Sequence, residues 1–288
     1  MIELAATSVS RSLLGRLPGS DRPGSVHSVF SRAINLRWDE SGWACLLVEP
    51  RGLCPGGVGL RRLPAAEVGE PIVVSRAGMA FPERSVRVRV DRASRRDLRI
   101  RRRAPFGRAE ATAGSSRLRR MVAGRGHPES LLPYVLGEVQ RTVHPLLMAA
   151  GESVAAAVRA SDGRGAALCL LDLVGLGAGL TPAGDDFLVG LLAASAGLGC
   201  LPRTGVVLAD ALPARFVGRT TEVSREMLGA ACRGEFSEPT RRVVHCLAGT
   251  EAGLRRSVGS LLRVGGGSGC DTLAGILFCL DVHGGGMW

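Results

Sequence analysis

Lysine is absent from this chain of 288 residues, and arginine supplies all 37 of its basic side chains. The chain therefore has neither a P-loop lysine nor a Schiff-base lysine. It also contains no G-x-G-x-x-G fingerprint, no G-K-[ST] sequence and no G-x-S-x-G elbow. These absences exclude the commonest nucleotide-binding signatures and the nucleophile elbow of α/β-hydrolases.

Aromatic residues are scarce, at 4% of the chain, and the net charge of the chain is +11. Both facts bear on whether the chain binds nucleic acid. The charge is local, because residues 84–120 hold fourteen arginines and three acidic residues. Arg87 and Arg89 alternate with valines as on a half-exposed strand, and no aromatic side chain interleaves with them to stack on bases. The pattern favours a solvated strand face over nucleic-acid binding, which is kept only as a third hypothesis.

Metal-binding cysteine and histidine spacings and long apolar runs are missing as well. None of the eight cysteines forms C-x-x-C, and the five histidines show no ligand spacing, so reduced, buried cysteines are expected. The most hydrophobic segment, 187–201, is too short to span a bilayer. The N-terminus also lacks a basic region followed by an apolar stretch. We therefore expect a soluble, cytoplasmic protein that does not bind membranes.

The period of the apolar residues changes along the chain and predicts an α+β fold. Residues 1–104 contain short alternating runs separated by glycine and proline, which indicate a β-rich barrel or sandwich-like unit. Residues 105–130 are an arginine- and glycine-rich transition. Residues 131–288 show helical spacing and predict an all-α domain with two glycine-rich loops, each leading into a helix N-terminus.

The stretch from Gly175 to Asp186 is the first of these loops and the most unusual part of the sequence. Glycine at every second position suits neither a helix nor a strand, because glycine loses the most backbone freedom on ordering. Thr181 and Pro182 then predict a helix start, with threonine as N-cap and proline at the first helical position. Asp185 and Asp186 lie in the first turn of an otherwise apolar helix.

An internal repeat links this loop to a second one. Residues 184–192 and 269–277 share the pattern G-x-D-x-L-x-G-x-L, which aligns Asp186 with Asp271 and Gly190 with Gly275. One interpretation is structural: Ser268 and Asp271 form a capping box, and the glycines permit close helix packing. The other is that two paired helices bring both aspartates to one polar pocket for a divalent cation or for a substrate amide or amine.

Residues 175–188, with their Leu-Thr-Pro-Ala-Gly-Asp-Asp motif, resemble a bacterial family associated with the AllH subunit of oxamate carbamoyltransferase. Three further stretches support the resemblance: Val26-His27-Ser28-Val29-Phe30 with Asn35-Leu36, Thr220-Thr221-x-x-Ser224, and Ser268-Gly269-x-Asp271-x-x-x-Gly275. The similarity covers most of the chain. Gly265-Gly266-Gly267 departs from it, standing where the family pattern has a more polar Gly-His-x stretch.

The resemblance implies a role in allantoin catabolism, a branch of purine degradation, within a hetero-complex of carbamoyltransferase subunits. Carbamoyl transfer between oxalurate and phosphate would give oxamate and carbamoyl phosphate. A different hypothesis is a non-catalytic scaffold or regulatory subunit that binds a small acid and stabilises its partners.

The candidate catalytic residues are Asp186, Asp271 and His27. The two aspartates are also the ligands expected for a divalent cation, if one is used. His27 is either a general acid/base or a structural histidine near a strand start, and Thr220, Thr221 and Ser224 are either helix-capping or site residues. The candidate ligand-binding residues are Gly177, Gly179, Thr181, Gly184, Asp185, Asn35, Thr220, Thr221, Ser224, Ser268 and Gly269.

Overall fold

A computed structural model describes residues 1–39, 42–49, 52–101, 105–138 and 145–286 of the protein. The chain divides into two compact units, Met1–Leu98 and Arg99–Trp288. Strands fill the first unit and α-helices the second, so the predicted α+β class is confirmed. Residue 104, where the sequence predicts the β-rich unit to end, lies outside the described residues.

The first unit is built on one curled sheet that forms a half-barrel. In the described part of the chain the strands are β1 Ile2–Ala5, β2 Ser8–Ser10, β3 Arg22–Val29, β4 Ala33–Trp38, β5 Gly42–Val48, β6 Gly57–Leu60, β7 Pro71–Ser75, β8 Gly78–Phe81, β9 Val86–Arg89 and β10 Ser94–Arg96. The strand order in the sheet is β1-β9-β8-β7-β3-β4-β5-β6-β2-β10. The β1–β9, β5–β6 and β2–β10 pairs are parallel, and the others are antiparallel.

Alternation along these strands separates an apolar core from a polar row. Ile34 and Leu36 enter the core, so Asn35 between them points to the opposite face of the sheet. Asn35 is paired with Ser28 on β3 and with Cys45 on β5, which places all three on that face. The row is nevertheless buried, since Asn35 is only 5% exposed.

The second unit packs helices around one large apolar cluster. Its described helices are α2 Arg108–Val122, α3 Leu132–Val135, α4 Pro145–Arg159, α5 Gly163–Leu170, α6 Ala183–Leu198, α7 Pro202–Ala211, α8 Glu222–Cys232, α9 Glu238–Cys246, α10 Glu251–Leu261 and α11 Ser268–Gly284; α1, Arg11–Arg16, belongs to the first unit. Short 3₁₀ turns occur at Pro82–Arg84, Leu171–Leu173 and Leu212–Arg215. Helix α2 lies within the stretch interpreted from the sequence as a transition.

Helices α6 and α11 form the centre of the second unit and are apolar on nearly every side, as expected for fully buried helices. They cross at their glycines. A Cβ atom on Gly190 would overlap the carbonyl oxygen of Thr272, and one on Gly275 would overlap that of Phe187. Because these contacts join corresponding positions of the internal repeat, the two helices pack with approximate two-fold symmetry.

No described helix is both long enough and apolar enough to cross a membrane.

Candidate functional site

The helix crossing brings the N-termini of α6 and α11 together, and each follows a glycine-rich loop. Gly175, Gly177 and Gly179 have φ values of 76°, 109° and 93°, in the left-handed region that favours glycine. At Gly175 a side chain would also overlap the carbonyl oxygen of Arg219, whereas Gly179 has open space around it. Residues 177–180 are exposed, so this part of the loop is accessible from solvent.

Gly184 and Gly269 have a different role, because both are buried against backbone. A Cβ on Gly184 would overlap the carbonyl oxygen of Leu173, and one on Gly269 would overlap that of Leu261. These two predicted ligand-binding glycines therefore allow the helix ends to approach neighbouring chain segments.

Asp185 is held by three hydrogen bonds and is only 1% exposed. Its Oδ1 accepts from the backbone N–H of Gly175 at 2.8 Å. Its Oδ2 accepts from the hydroxyl groups of Thr220 and of Ser224, the latter at 2.6 Å. The carboxylate thus ties the start of the glycine loop and the start of α8 to helix α6.

Thr221 completes this arrangement as the N-cap of α8. Its Oγ1 accepts from the backbone N–H of Ser224 at 3.1 Å and donates to the carbonyl oxygen of Leu180 at 2.5 Å. Thr221 is therefore a helix-capping residue, whereas the hydroxyl groups of Thr220 and Ser224 donate hydrogen bonds to Asp185.

Asp186 differs from its neighbour, because one of its carboxyl oxygens is buried without a partner. The residue is 9% exposed, and among the described residues nothing hydrogen-bonds to its Oδ2. Burial raises the pKa of Asp186 well above its ordinary value, the hydroxyl groups of Ser268 and Thr181 oppose this rise, and the charges of Asp271 and Asp185 add to it. A buried acceptor without a donor is costly, so this atom is where a ligand would gain most.

Asp271 is the corresponding residue on α11 and is 4% exposed. Its Oδ1 accepts from the backbone N–H of Leu131 at 2.6 Å. Burial raises its pKa to about 7, and this hydrogen bond limits the rise. The negative charge of Asp271 also contributes to the raised pKa of Asp186.

The hydroxyl groups of Thr181 and Ser268 lie 2.7 Å apart and connect the two loops. The N-cap predicted at Thr181 is wrong, since Pro182 occupies that position and no side chain caps α6. The capping box predicted for Ser268 and Asp271 is also wrong, since Gly267 is the N-cap of α11. In each case the side chain hydrogen-bonds to a partner on another segment and does not cap its own helix.

The segment from His127 to Leu131 borders the site and was missed by sequence reasoning. Besides the bond from Leu131 to Asp271, the backbone N–H of His127 lies 3.4 Å from the Sγ of Cys270 and donates to it. The Ser130 hydroxyl closes the turn by donating to the His127 carbonyl oxygen at 2.7 Å. The sequence signal of this segment is the polar Gly-His-Pro-Glu-Ser run, which predicts a turn. The run does not indicate that Leu131 will bind Asp271, 140 positions away.

His27 and Asn35 belong to the first unit, and Asp186 and Asp271 belong to the second. His27 sits at a register shift between β3 and β4, its Nδ1 lies 3.2 Å from the Ser28 hydroxyl, and its ring meets Trp43 edge-on at 5.1 Å. Asn35 donates to the same hydroxyl at 2.9 Å. These contacts form a polar cluster in the first unit.

In the described part of the second unit, the carboxyl groups do not assemble a recognisable metal centre. Within the described ranges, no three histidine, cysteine, aspartate or glutamate side chains come together as potential ligands. Asp186 and Asp271 would therefore need hydroxyl groups, backbone carbonyls or the ligand itself to complete a coordination shell. Burial raises the pKa of Asp186 well above its ordinary value, and a carboxyl group must lose its proton before it binds a cation.

The arginines of the basic stretch are partly neutralised. Arg84 pairs with Glu70 at 3.2 Å, and Arg89 pairs with Asp91 at 2.7 Å. These pairs support the interpretation of Arg84 and Arg89 as side chains on a solvated face of the sheet.

Two family models match the chain. The model described as "Oxamate carbamoyltransferase subunit AllH" matches residues 173–280, and the model described as "AllH family N-terminal domain" matches residues 5–95. The first match contains both glycine–aspartate loops, and the second contains His27 and Asn35. Comparisons with curated proteins and with solved structures gave no match.

Proposed function

Because the chain belongs to the AllH family, we propose that it works as one subunit of a carbamoyltransferase and holds a small carbamoyl or acid ligand at the 175–186 loop. The reaction we propose for the whole complex is carbamoyl transfer between oxalurate and phosphate, as part of allantoin catabolism. The other carbamoyltransferase subunits are the proposed partners, and the proposed location is the cytoplasm.

The unpartnered Oδ2 of Asp186 carries this proposal. A buried carboxyl oxygen without a hydrogen bond destabilises the folded protein by about 1–3 kcal/mol. No hydrogen bond among the described residues offsets this loss. A ligand that donates an N–H group to this oxygen would recover it. Asp185, one residue earlier, is fully hydrogen-bonded, so an unsatisfied oxygen is not a general consequence of this position on the helix.

Two further groups favour a small polar ligand beside Asp186. The hydroxyl groups of Thr181 and Ser268 hydrogen-bond to each other and to the Asp186 carboxyl group, so a ligand bound at Oδ2 would lie beside both hydroxyl groups. The backbone amides of the exposed loop at 177–180 can bind an anionic oxygen near the positive end of α6. Together they match a molecule with a carbamoyl group at one end and a carboxylate at the other.

The test is ligand binding and carbamoyl transfer by the complete hetero-complex with Asp186→Ala. We expect this variant to weaken oxamate binding about tenfold or more, because it removes Oδ2, which has no hydrogen-bond partner among the described residues. The matched control is Asp172→Asn, a charge change at an exposed aspartate of the same unit. If Asp186→Ala binds and turns over as the wild type does, the proposed site is wrong.

A second candidate function, a non-catalytic scaffold, is favoured by exposed apolar side chains on the helical unit. Val206 is 63% exposed and Val217 is 87% exposed, which suits contacts with another subunit. Carbamoyl transfer by the isolated chain would eliminate the scaffold hypothesis. If only the complex is active and Asp186→Ala leaves its activity intact while Val217→Asp prevents assembly, the scaffold is the better account.

A further inference from the structure

We propose that Cys54 is a reactive thiol, which peroxides oxidise and which then forms a disulfide with Cys45. The two cysteines are nine positions apart and do not form a C-x-x-C motif. This modification site belongs to the first unit and the proposed ligand site to the second, and the two proposals rest on different residues.

A tight turn places Cys54 beside Cys45. The backbone N–H of Gly57 donates to the carbonyl oxygen of Cys54 at 2.9 Å. Gly56 has a φ of 73°, so residues 54–57 form a β-turn with glycine at its left-handed position. Cys45 on β5 is paired with Gly57 on β6, and its backbone N–H donates to the carbonyl oxygen of Gly56 at 3.0 Å. The side chains of the two cysteines hydrogen-bond to each other.

This hydrogen bond and a nearby guanidinium group favour a thiolate on Cys54. The bond lowers the pKa of Cys54 and raises that of Cys45 well above its ordinary value, so Cys45 keeps its proton and donates it to the Cys54 sulfur. The charge of Arg16, at the end of α1, also lowers the pKa of Cys54, while burial opposes both effects. The Nη2 of Arg16 lies 3.1 Å from the position that a Cβ on Gly56 would occupy, so the guanidinium group lies against the turn. A thiolate beside a cation is the reactive form of cysteine.

Exposure distinguishes Cys54 from its partner. Cys45 is 6% exposed, whereas Cys54 is only partly buried. The rest of the turn, residues 55–57, is buried, so Cys54 is where the turn meets solvent. A second pair of hydrogen-bonded thiols, Cys200 and Cys279, is completely buried. A small oxidant can therefore reach the first pair more readily than the second.

The oxidation takes two steps. In the first, the Cys54 thiolate attacks the terminal oxygen of a peroxide, the O–O bond breaks, and Cys54 becomes a sulfenic acid; the leaving hydroxide or alkoxide takes a proton from solvent. In the second, the Cys45 sulfur attacks the Cys54 sulfur, an S–S bond forms, the S–O bond breaks, and hydroxide leaves with the Cys45 proton as water. The two thiols supply the two electrons that reduce the peroxide.

The first test is alkylation of the reduced full chain by iodoacetamide near neutral pH, followed by peptide mapping. Cys232 is the matched control, because it is also partly buried but burial raises its pKa to about 11. The pKa of Cys54 lies below the ordinary 9.0 of a thiol. A gap of about two pH units, offset by the lower nucleophilicity of the more acidic thiol, predicts that Cys54 reacts about tenfold or more faster than Cys232. Equal rates at Cys54 and Cys232 would overturn the proposal.

A matched variant tests the part of the guanidinium group. Arg16→Gln should slow the alkylation of Cys54 and leave that of Cys232 unchanged, because it removes the positive charge beside one thiol only. An unchanged rate at Cys54 would show that Arg16 does not activate it.

The second test is brief treatment of the full chain with hydrogen peroxide. Trypsin cleaves after Arg51 and so separates Cys45 and Cys54 into peptides 38–51 and 52–61. We expect these two peptides to become linked and to separate again on reduction with a dithiol. In Cys45→Ala, Cys54 should accumulate as a sulfenic acid that a cyclic 1,3-diketone traps. Wild-type peptides that stay unlinked, or links that join other cysteines instead, would contradict the pairing; this readout does not depend on the folding of any variant.

Discussion

Replacing Asp271 by asparagine is expected to stabilise the protein at alkaline pH and to leave its stability nearly unchanged at acidic pH. In the folded protein burial raises the pKa of Asp271 from 3.8, the value of an unperturbed aspartate, to about 7. The folded state therefore binds this proton more tightly than the unfolded state does. Its stabilising contribution is complete below about pH 4 and is lost as the pH rises to about 7.

The size of the effect follows from the pKa displacement. Three pH units at about 1.4 kcal/mol each correspond to a loss of about 4 kcal/mol between the acidic and alkaline limits. Asparagine cannot ionise, and its side-chain oxygen can still accept from the backbone N–H of Leu131. At about 2–4 °C per kcal/mol for a unit of this size, the melting temperature should rise by about 10 °C above pH 8.

The assay is thermal and urea unfolding of wild type and Asp271→Asn at about pH 4 and about pH 8.5. The control is Asp281→Asn on the same helix, which removes an ion pair to Arg119 and should lower stability at both pH values. An Asp271→Asn effect of the same size and sign at both pH values would refute the reasoning, because it would show that no buried proton is involved.

Three further predictions concern the scaffold around the site and the basic surface. Asp185→Asn should lower the free energy of unfolding by about 2–4 kcal/mol in urea unfolding, since it breaks a fully hydrogen-bonded buried carboxylate; an unchanged midpoint would contradict its anchoring role. Gly275→Ala should destabilise by about 3 kcal/mol or more in the same assay, because its Cβ would overlap the carbonyl oxygen of Phe187. Gly179→Ala, strained only by its positive φ, should cost about 1 kcal/mol, and equal effects would count against the close helix crossing. The basic stretch 84–120 should not retain the protein on DNA or RNA columns, and steeply salt-dependent elution would show that its ion pairs leave a functional basic surface.

The crossing of α6 and α11 was predictable because it depends on a repeated local pattern. Identical spacing of aspartate and glycine in two apolar helices implies that both present the same face, and the structure packs the two glycines at one crossing. The α+β division was predictable for a similar reason, since the period of the apolar residues changes once along the chain.

The capping assignments failed because they assumed local partners. Thr181 and Ser268 lie 87 positions apart, yet their hydroxyl groups bond to each other and leave both helix N-termini without a side-chain cap. Nothing in either loop alone signals that contact. The hydrogen bond from Leu131 to Asp271 is equally hidden in the sequence, because it forms only once the tertiary packing brings the two residues together.

The difference between the two adjacent aspartates also arises from tertiary packing. Asp185 acquires donors from the glycine loop and from the start of α8, whereas the Oδ2 of Asp186 acquires none among the described residues. The repeat favoured Asp186 because it has a counterpart in the second helix. The unsatisfied oxygen is the independent structural reason for the same preference.

A crystal structure of the hetero-complex with oxamate tests the central claim most directly. We predict that the carboxamide group of oxamate lies within about 3 Å of the Oδ2 of Asp186, the distance of a hydrogen bond. Its carboxylate should point toward the exposed loop at 177–180. Oxamate bound elsewhere, with the Oδ2 of Asp186 still buried and uncontacted, would contradict the account.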